Sequence, residues 1–101
     1  MRMIMHVRIP HEPFNAAVKD GSVEKKMARI LEETKPEAVY FTNYDGHRGA
    51  IMIVDISEPS KVPFYAEPWF LVFNAAVEFH ILMTLDDIGK AGLGPLGLKW
   101  K

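Results

Sequence analysis

The order of apolar periodicities constrains this chain more than any motif in it. Between residues 2 and 84, six patterned segments follow one another as strand, helix, strand, strand, helix, strand. Met3 to Ile9 is short and β-rich, and Pro10 and Pro13 close it. Apolar residues then recur at Phe14, Ala17, Val18, Val23, Met27, Ile30 and Leu31, mostly three or four apart, as one face of a helix requires. Asp20-Gly21-Ser22 interrupts that run. The spacing predicts one helix weakened at Gly21; the alternative is a turn there, with Ser22 capping a second helix. Lys35-Pro36 stops the segment, because the residue before proline avoids helical geometry.

Ala38 to Asn43 and Gly49 to Ile56 read as strands around Tyr44-Asp45-Gly46-His47, and Asp-Gly between two strand patterns is a strong hairpin signal. Ser57-Glu58-Pro59-Ser60 opens a helix to about Ala66. Pro68 is expected to break or kink it, leaving a short turn through Trp69-Phe70-Leu71. Ala76 to Met83 is the last strand, and Thr84 with Asp86 and Asp87 caps a short helix to about Ala91. Residues 1–91 therefore form one domain, and 92–101 read as a flexible Gly/Leu-rich tail.

With right-handed crossovers this order gives an α+β fold. A four-stranded antiparallel sheet carries both helical layers on one face, strands one and three are central, and strand four lies beside strand one. Alternation supports it. Met3, Met5, Val7, Ile9, Val39, Phe41, Ala50, Met52, Val54, Ile56, Val77, Phe79, Ile81 and Met83 share one face, and all are apolar. An Asp45-Gly46 turn sets Val39 opposite Met52 and Phe41 opposite Ala50. The other face mixes Ile4, His6, Arg8, Ala38, Tyr40, Thr42, Ile51, Ile53, Asp55, Glu78, His80 and Leu82. Pairing His6 with His80 would set Arg8 against Glu78 and Ile4 against Leu82. This second face is too apolar to stand alone in water, which predicts a homodimer packed sheet against sheet.

Composition removes several functions. Lys and Arg number 12 against 13 Asp and Glu, giving a net charge of −1, so the basic surplus of a nucleic-acid binder is missing. RNA binding on the sheet face would also need stacked aromatics in basic surroundings. There are no cysteines, hence no disulfide, thiolate site or cysteine nucleophile. No apolar run approaches the ~20 residues of a membrane span, and a cytoplasmic location is expected. Gly-rich phosphate loops, nucleophile elbows and His-Glu-x-x-His are missing, and no cofactor is expected.

Met5-His6-Val7-Arg8, the strand Ala50 to Ile56 leading into Ser57-Glu58-Pro59, and Glu67-Pro68-Trp69-Phe70 before the last strand carry a resemblance. The chain resembles the dimeric α-β barrel superfamily of ferredoxin-like folds, which includes muconolactone isomerase, YciI-like proteins and cofactor-free antibiotic-biosynthesis-type monooxygenases. The muconolactone isomerase group has a similar His-Val-Arg opening strand and a similar Pro-aromatic step. The chain is also similar to small bacterial proteins of unassigned activity. The resemblance implies a dimer with one small apolar pocket per subunit.

The candidate catalytic residues are His11, His6 and His80. Histidine exchanges protons near neutral pH. His6 and His80 could form an acid/base pair or offer two metal ligands, although polar residues buried in a dimer interface look the same. A third ligand is wanting, so no metal is expected. His11, with Asn15, flanks the mouth of a cavity between sheet and helices; a solvated loop histidine is the ordinary alternative. Tyr40, Tyr65 and Trp69 are the candidate ligand-binding aromatics, each also compatible with plain core packing. Phe41 and Phe73 read as core, His47 and Arg48 as a solvated turn, and Asp55 as a helix cap. Leu96, Leu98 or Trp100 of the tail would dock on the partner subunit. The activity expected is isomerisation or oxidation of a small apolar or aromatic metabolite; the alternative is a non-catalytic binding or assembly dimer.

Overall fold

A computed structural model describes residues 1–101. Its strands are β1 (Arg2–Ile9), β2 (Ala38–Tyr44), β3 (His47–Asp55) and β4 (Ala76–Ile81). Its helices are α1 (His11–Asp20), α2 (Val23–Thr34), α3 (Val62–Phe73, entered through a 3₁₀ turn at Pro59–Lys61), α4 (Leu85–Lys90) and α5 (Leu93–Lys99). The sheet runs β2-β3-β1-β4 and every neighbouring pair is antiparallel. The two inner strands are thus β3 and β1, and β4 borders β1, as the element order predicts.

One face of the sheet holds the core. Met5, Val7, Ile9, Ala50, Met52 and Val54 are buried there beneath Ile30 of α2 and Trp69 and Phe73 of α3. Phe14 of α1 packs on Phe73 with the rings tilted and their centroids 5.0 Å apart. The β2–β3 hairpin closes on Asp45 and Gly46, both with positive φ (49° and 79°), as a two-residue primed turn demands. Val39 faces Met52 and Phe41 faces Ala50, so the expected hairpin register holds.

Elsewhere the structure corrects the sequence reading. The first helical segment is two helices: Gly21 (φ 81°) ends α1 in the left-handed conformation and α2 starts after Ser22. Ser22 caps nothing with its hydroxyl, which is buried without a partner. Glu12, the residue before Pro13, is extended, so regular helix starts only at Pro13. Pro68 does not break α3. Ala66 and Trp69 on either side of it, and Phe73 a turn further on, are all buried, and that packing holds the helix together across the missing N–H.

The β1–β4 register differs by two residues: Ile4 pairs with His80, His6 with Glu78 and Arg8 with Ala76. A slip of two keeps every side chain on its face, so alternation cannot detect it. Phe41 is exposed rather than core, because the helices do not reach over β2, the strand at the sheet edge. Asp55 accepts from the Met1 backbone nitrogen (3.0 Å) instead of capping a helix. Arg2 grips Glu37 at 3.0 and 3.2 Å, and that pairing raises the guanidinium pKa still further.

Beyond β4 the chain leaves the body. The α4 helix has a complete capping box between Thr84 and Asp87, and residues 93–99, read from sequence as a tail, are helical. Neither α4 nor α5 buries a residue. The molecule measures 60 × 28 × 20 Å, and its radius of gyration, 17.3 Å, exceeds the about 13 Å of a compact chain this long. No helix is long and apolar enough to cross a membrane.

Candidate functional site

The uncovered sheet face has three rows. Ala38, Ile53, Ile4 and His80 lie across one row; Tyr40, Ile51, His6 and Glu78 across the next; Thr42, Gly49, Arg8 and Ala76 across the third. Gly49 is the vacancy in that grid. A Cβ there would sit 2.3 Å from the ring of Tyr44 and 3.1 Å from the Val7 carbonyl oxygen. Tyr44, at the last position of β2, fills the space: its ring lies across Gly49 and its hydroxyl meets His6 Nδ1. A glycine on β3 thus lets a residue beside the hairpin turn reach the middle of β1.

The His6 ring touches two others edgewise, Tyr44 at 5.9 Å and His80 at 5.7 Å between centroids. His80 and His6 are diagonal neighbours on the sheet rather than a facing pair, yet their rings still meet. His80 Nε2 is 3.5 Å from Glu78 Oε2. Arg8 Nη2 is 3.7 Å from Asp45 Oδ2, a loose pair of exposed groups that holds the guanidinium only weakly. His6, Arg8, Tyr44, Asp45, Glu78 and His80 line one cleft of about 390 Å³.

Chemically the cleft offers an acid/base group with a partner. If Tyr44 donates to Nδ1, His6 presents an N–H at Nε2; if Nδ1 donates to Tyr44, Nε2 is a free base. Switching between these two states moves a proton without moving a heavy atom. No three His, Asp or Glu side chains converge on a point where a metal could sit.

Of the residues singled out from sequence, His6 and His80 come together here. Tyr40 stands in the same row as His6, exposed, across Ile51. His11 is apart from them, stacked on His47 at 4.8 Å near the start of α1. Trp69 is fully buried under the sheet, so its indole lines no open space. Tyr65 donates to the Asp55 carbonyl oxygen at 3.3 Å. Asn15 accepts from Arg48 Nη1 at 2.7 Å, which draws Arg48 under α1 and away from the solvated turn expected for it. Arg8 does not face Glu78, because of the two-residue shift in β4.

The sequence places Arg8 and Glu78 on this face beside His6 and His80 without assigning them a role, and gives Tyr44 and Asp45 only as residues of the turn. A signal for Tyr44 existed: it has the same parity as Tyr40 and Thr42, and the strand pattern needed only one more residue pair before the turn.

The sheet order and the single helix-covered face define an α+β protein compatible with a ferredoxin-like fold. A scan against models of known protein families gives no match, and a search of curated proteins gives none either.

Proposed function

We propose that the chain works as a cytoplasmic homodimer of the dimeric α-β barrel type. It would act without a cofactor on a small apolar or aromatic metabolite in the cleft around His6. The observation that carries this reading is the His6–Tyr44 pair, set over Gly49 beside the apolar patch of Ile4, Ile51 and Ile53. Removing a proton from a carbon next to a carbonyl and returning it to another carbon needs one group that alternates between base and acid. His6, backed by the Tyr44 hydroxyl, is such a group, and it favours isomerisation over oxidation. Arg8 and His80 stand where they could hold an oxygen that gains charge during the transfer.

A second copy laid sheet against sheet would cover Tyr40, Ile51 and Ile53 and close the cleft from solvent. The exposed Leu96, Leu98 and Trp100 of α5 and its end would add contacts on that partner.

Exchange in D₂O tests the reading. A panel of β,γ-unsaturated ketones and lactones is incubated with the protein, and deuterium uptake is followed by NMR. Uptake that falls about 10²-fold or more in His6→Gln, with a smaller fall in Tyr44→Phe, supports it. Uptake unchanged by both variants sinks the acid/base role. Binding that survives both variants, with no exchange on any substrate, points to a non-catalytic binding dimer. Light scattering over a dilution series checks the assembly, and a chain lacking residues 92–101 should dissociate at higher concentration than the full chain.

A further inference from the structure

On the helix side of the sheet, away from the His6 cleft, lies a second hollow of about 440 Å³ under the hairpin end. Its apolar walls are Ile9, Phe14, Met27 and Phe41, and Arg48 is the one charged residue lining it. We propose that this hollow binds a small monocarboxylate with an apolar body, the carboxylate on Arg48 and the body against Phe14, Met27 and Phe41.

The state of Arg48 carries the proposal. Its side chain is half-buried, and no Asp or Glu oxygen comes within ion-pair distance of it, whereas Arg8 and Arg2 on the same sheet are paired with Asp45 and Glu37. It is nonetheless fixed. Nη1 donates to Asn15 Oδ1 at 2.7 Å, and the guanidinium lies over the Phe14 ring, 4.5 Å from its centre. A guanidinium has five N–H donors; one is used on Asn15 and the others meet no acceptor in the protein. Half-burying a cation costs solvation, and a structure that does so without a counter-charge gains when an anion arrives.

The ligand class follows from the lining. A single cation neutralises a single negative charge, and the planar fork suits a carboxylate held by two parallel hydrogen bonds. Phe41 is 58% exposed although it points to the helix-covered side, so its ring is available to the ligand body. The volume falls in the range of ordinary small-molecule sites.

The test uses the full chain and two probes, 4-phenylbutyrate and its neutral analogue 4-phenylbutan-1-ol, with binding read by ¹H–¹⁵N NMR titration. The expected result is binding of the acid about tenfold or more tighter than the alcohol. Shifts should centre on Ile9, Phe14, Met27, Phe41 and the Arg48 side chain. Arg48→Gln should abolish the preference for the acid and leave the weak affinity for the alcohol. Equal affinity for acid and alcohol, no binding of either, or shifts centred on His6 and His80 would each overturn the proposal. The comparison of the two probes on the native chain decides the matter even if Arg48→Gln does not fold. Because His6 is not part of this hollow, His6→Gln should leave binding of the acid intact whether or not the isomerase reading stands.

Discussion

The two faces of the sheet are built from the same strands on opposite principles. The covered face is apolar at nearly every position, and it is filled by Trp69 and Phe73 without an open cavity at its centre. The uncovered face alternates isoleucine with histidine, arginine, glutamate and tyrosine, and it includes one glycine whose missing side chain is occupied by a neighbour's ring. The first arrangement gains free energy by excluding water. The second gives some of that up to hold polar groups at fixed separations. The chain therefore keeps stability and chemistry on opposite sides of one layer of backbone.

The largest test of that division compares two aromatics. Trp69→Ala, on the covered side, should destabilise the fold by about 3–5 kcal/mol. Tyr40→Ala, on the open side, should stay within about 0.5 kcal/mol in the dilute monomer. Urea denaturation measures both, and similar losses would mean that the faces are not divided in this way. A smaller effect is expected at Gly49→Ala. The new methyl group meets the Tyr44 ring and the Val7 carbonyl, a crowding that costs about 1–3 kcal/mol. The sharper readout is the Tyr44–His6 contact, which should be lost from NOE spectra while the Met52 and Trp69 resonances stay in place. A preserved contact would show that the glycine is not what admits the tyrosine.

The smallest effect lies outside both faces. Asp20 accepts from the Ser22 backbone N–H at 2.8 Å. Its carboxyl is held below the ordinary range by the Ser22 side chain and by that backbone bond, with Lys26 adding to it. Since the Ser22 hydroxyl makes no formed hydrogen bond, the backbone contact is the one that counts. A carboxyl depressed in the folded state stabilises above its unfolded pKa, and that contribution disappears as pH falls through the folded value. Asp20→Asn should therefore flatten the acid side of the stability–pH curve slightly and leave the neutral side unchanged in slope. Denaturation midpoints from neutral pH down through the carboxylate range will show it.

How much of this could be read from the sequence depended on whether a local signal existed. Asp45-Gly46 fixes the turn, and with it every pair from Tyr44–His47 to Ala38–Ile53, because a two-residue loop leaves no freedom of register. No tight turn joins β1 to β4, so their pairing was open to a two-residue slip that periodicity does not register. The apolar spacing runs on past Gly21 and hides the break there, while the burial of Trp69 and Phe73 that carries the helix across Pro68 is a tertiary fact with no local signal. The candidate site divides similarly. His6 and His80 were legible as members of one face, but the Tyr44 contact depends on the space at Gly49, which is a property of three strands together. Arg48 adjoins a turn, which locally signals a solvated side chain; its partner Asn15 is 33 positions away.

The outlying α4 and α5 have a consequence for how the particle moves in solution. A body with one axis of 60 Å and the others 28 and 20 Å meets more friction than a sphere of equal mass. A single copy should diffuse slowly and leave a sizing column early, at the volume where a rounder assembly of two would elute. If the second copy folds both protrusions against its own surface, the pair would be more nearly isometric than either half, and its Stokes radius would grow by less than the doubling of mass suggests. Frictional ratio from sedimentation velocity, rather than elution volume, is the quantity that distinguishes one elongated copy from two compact ones.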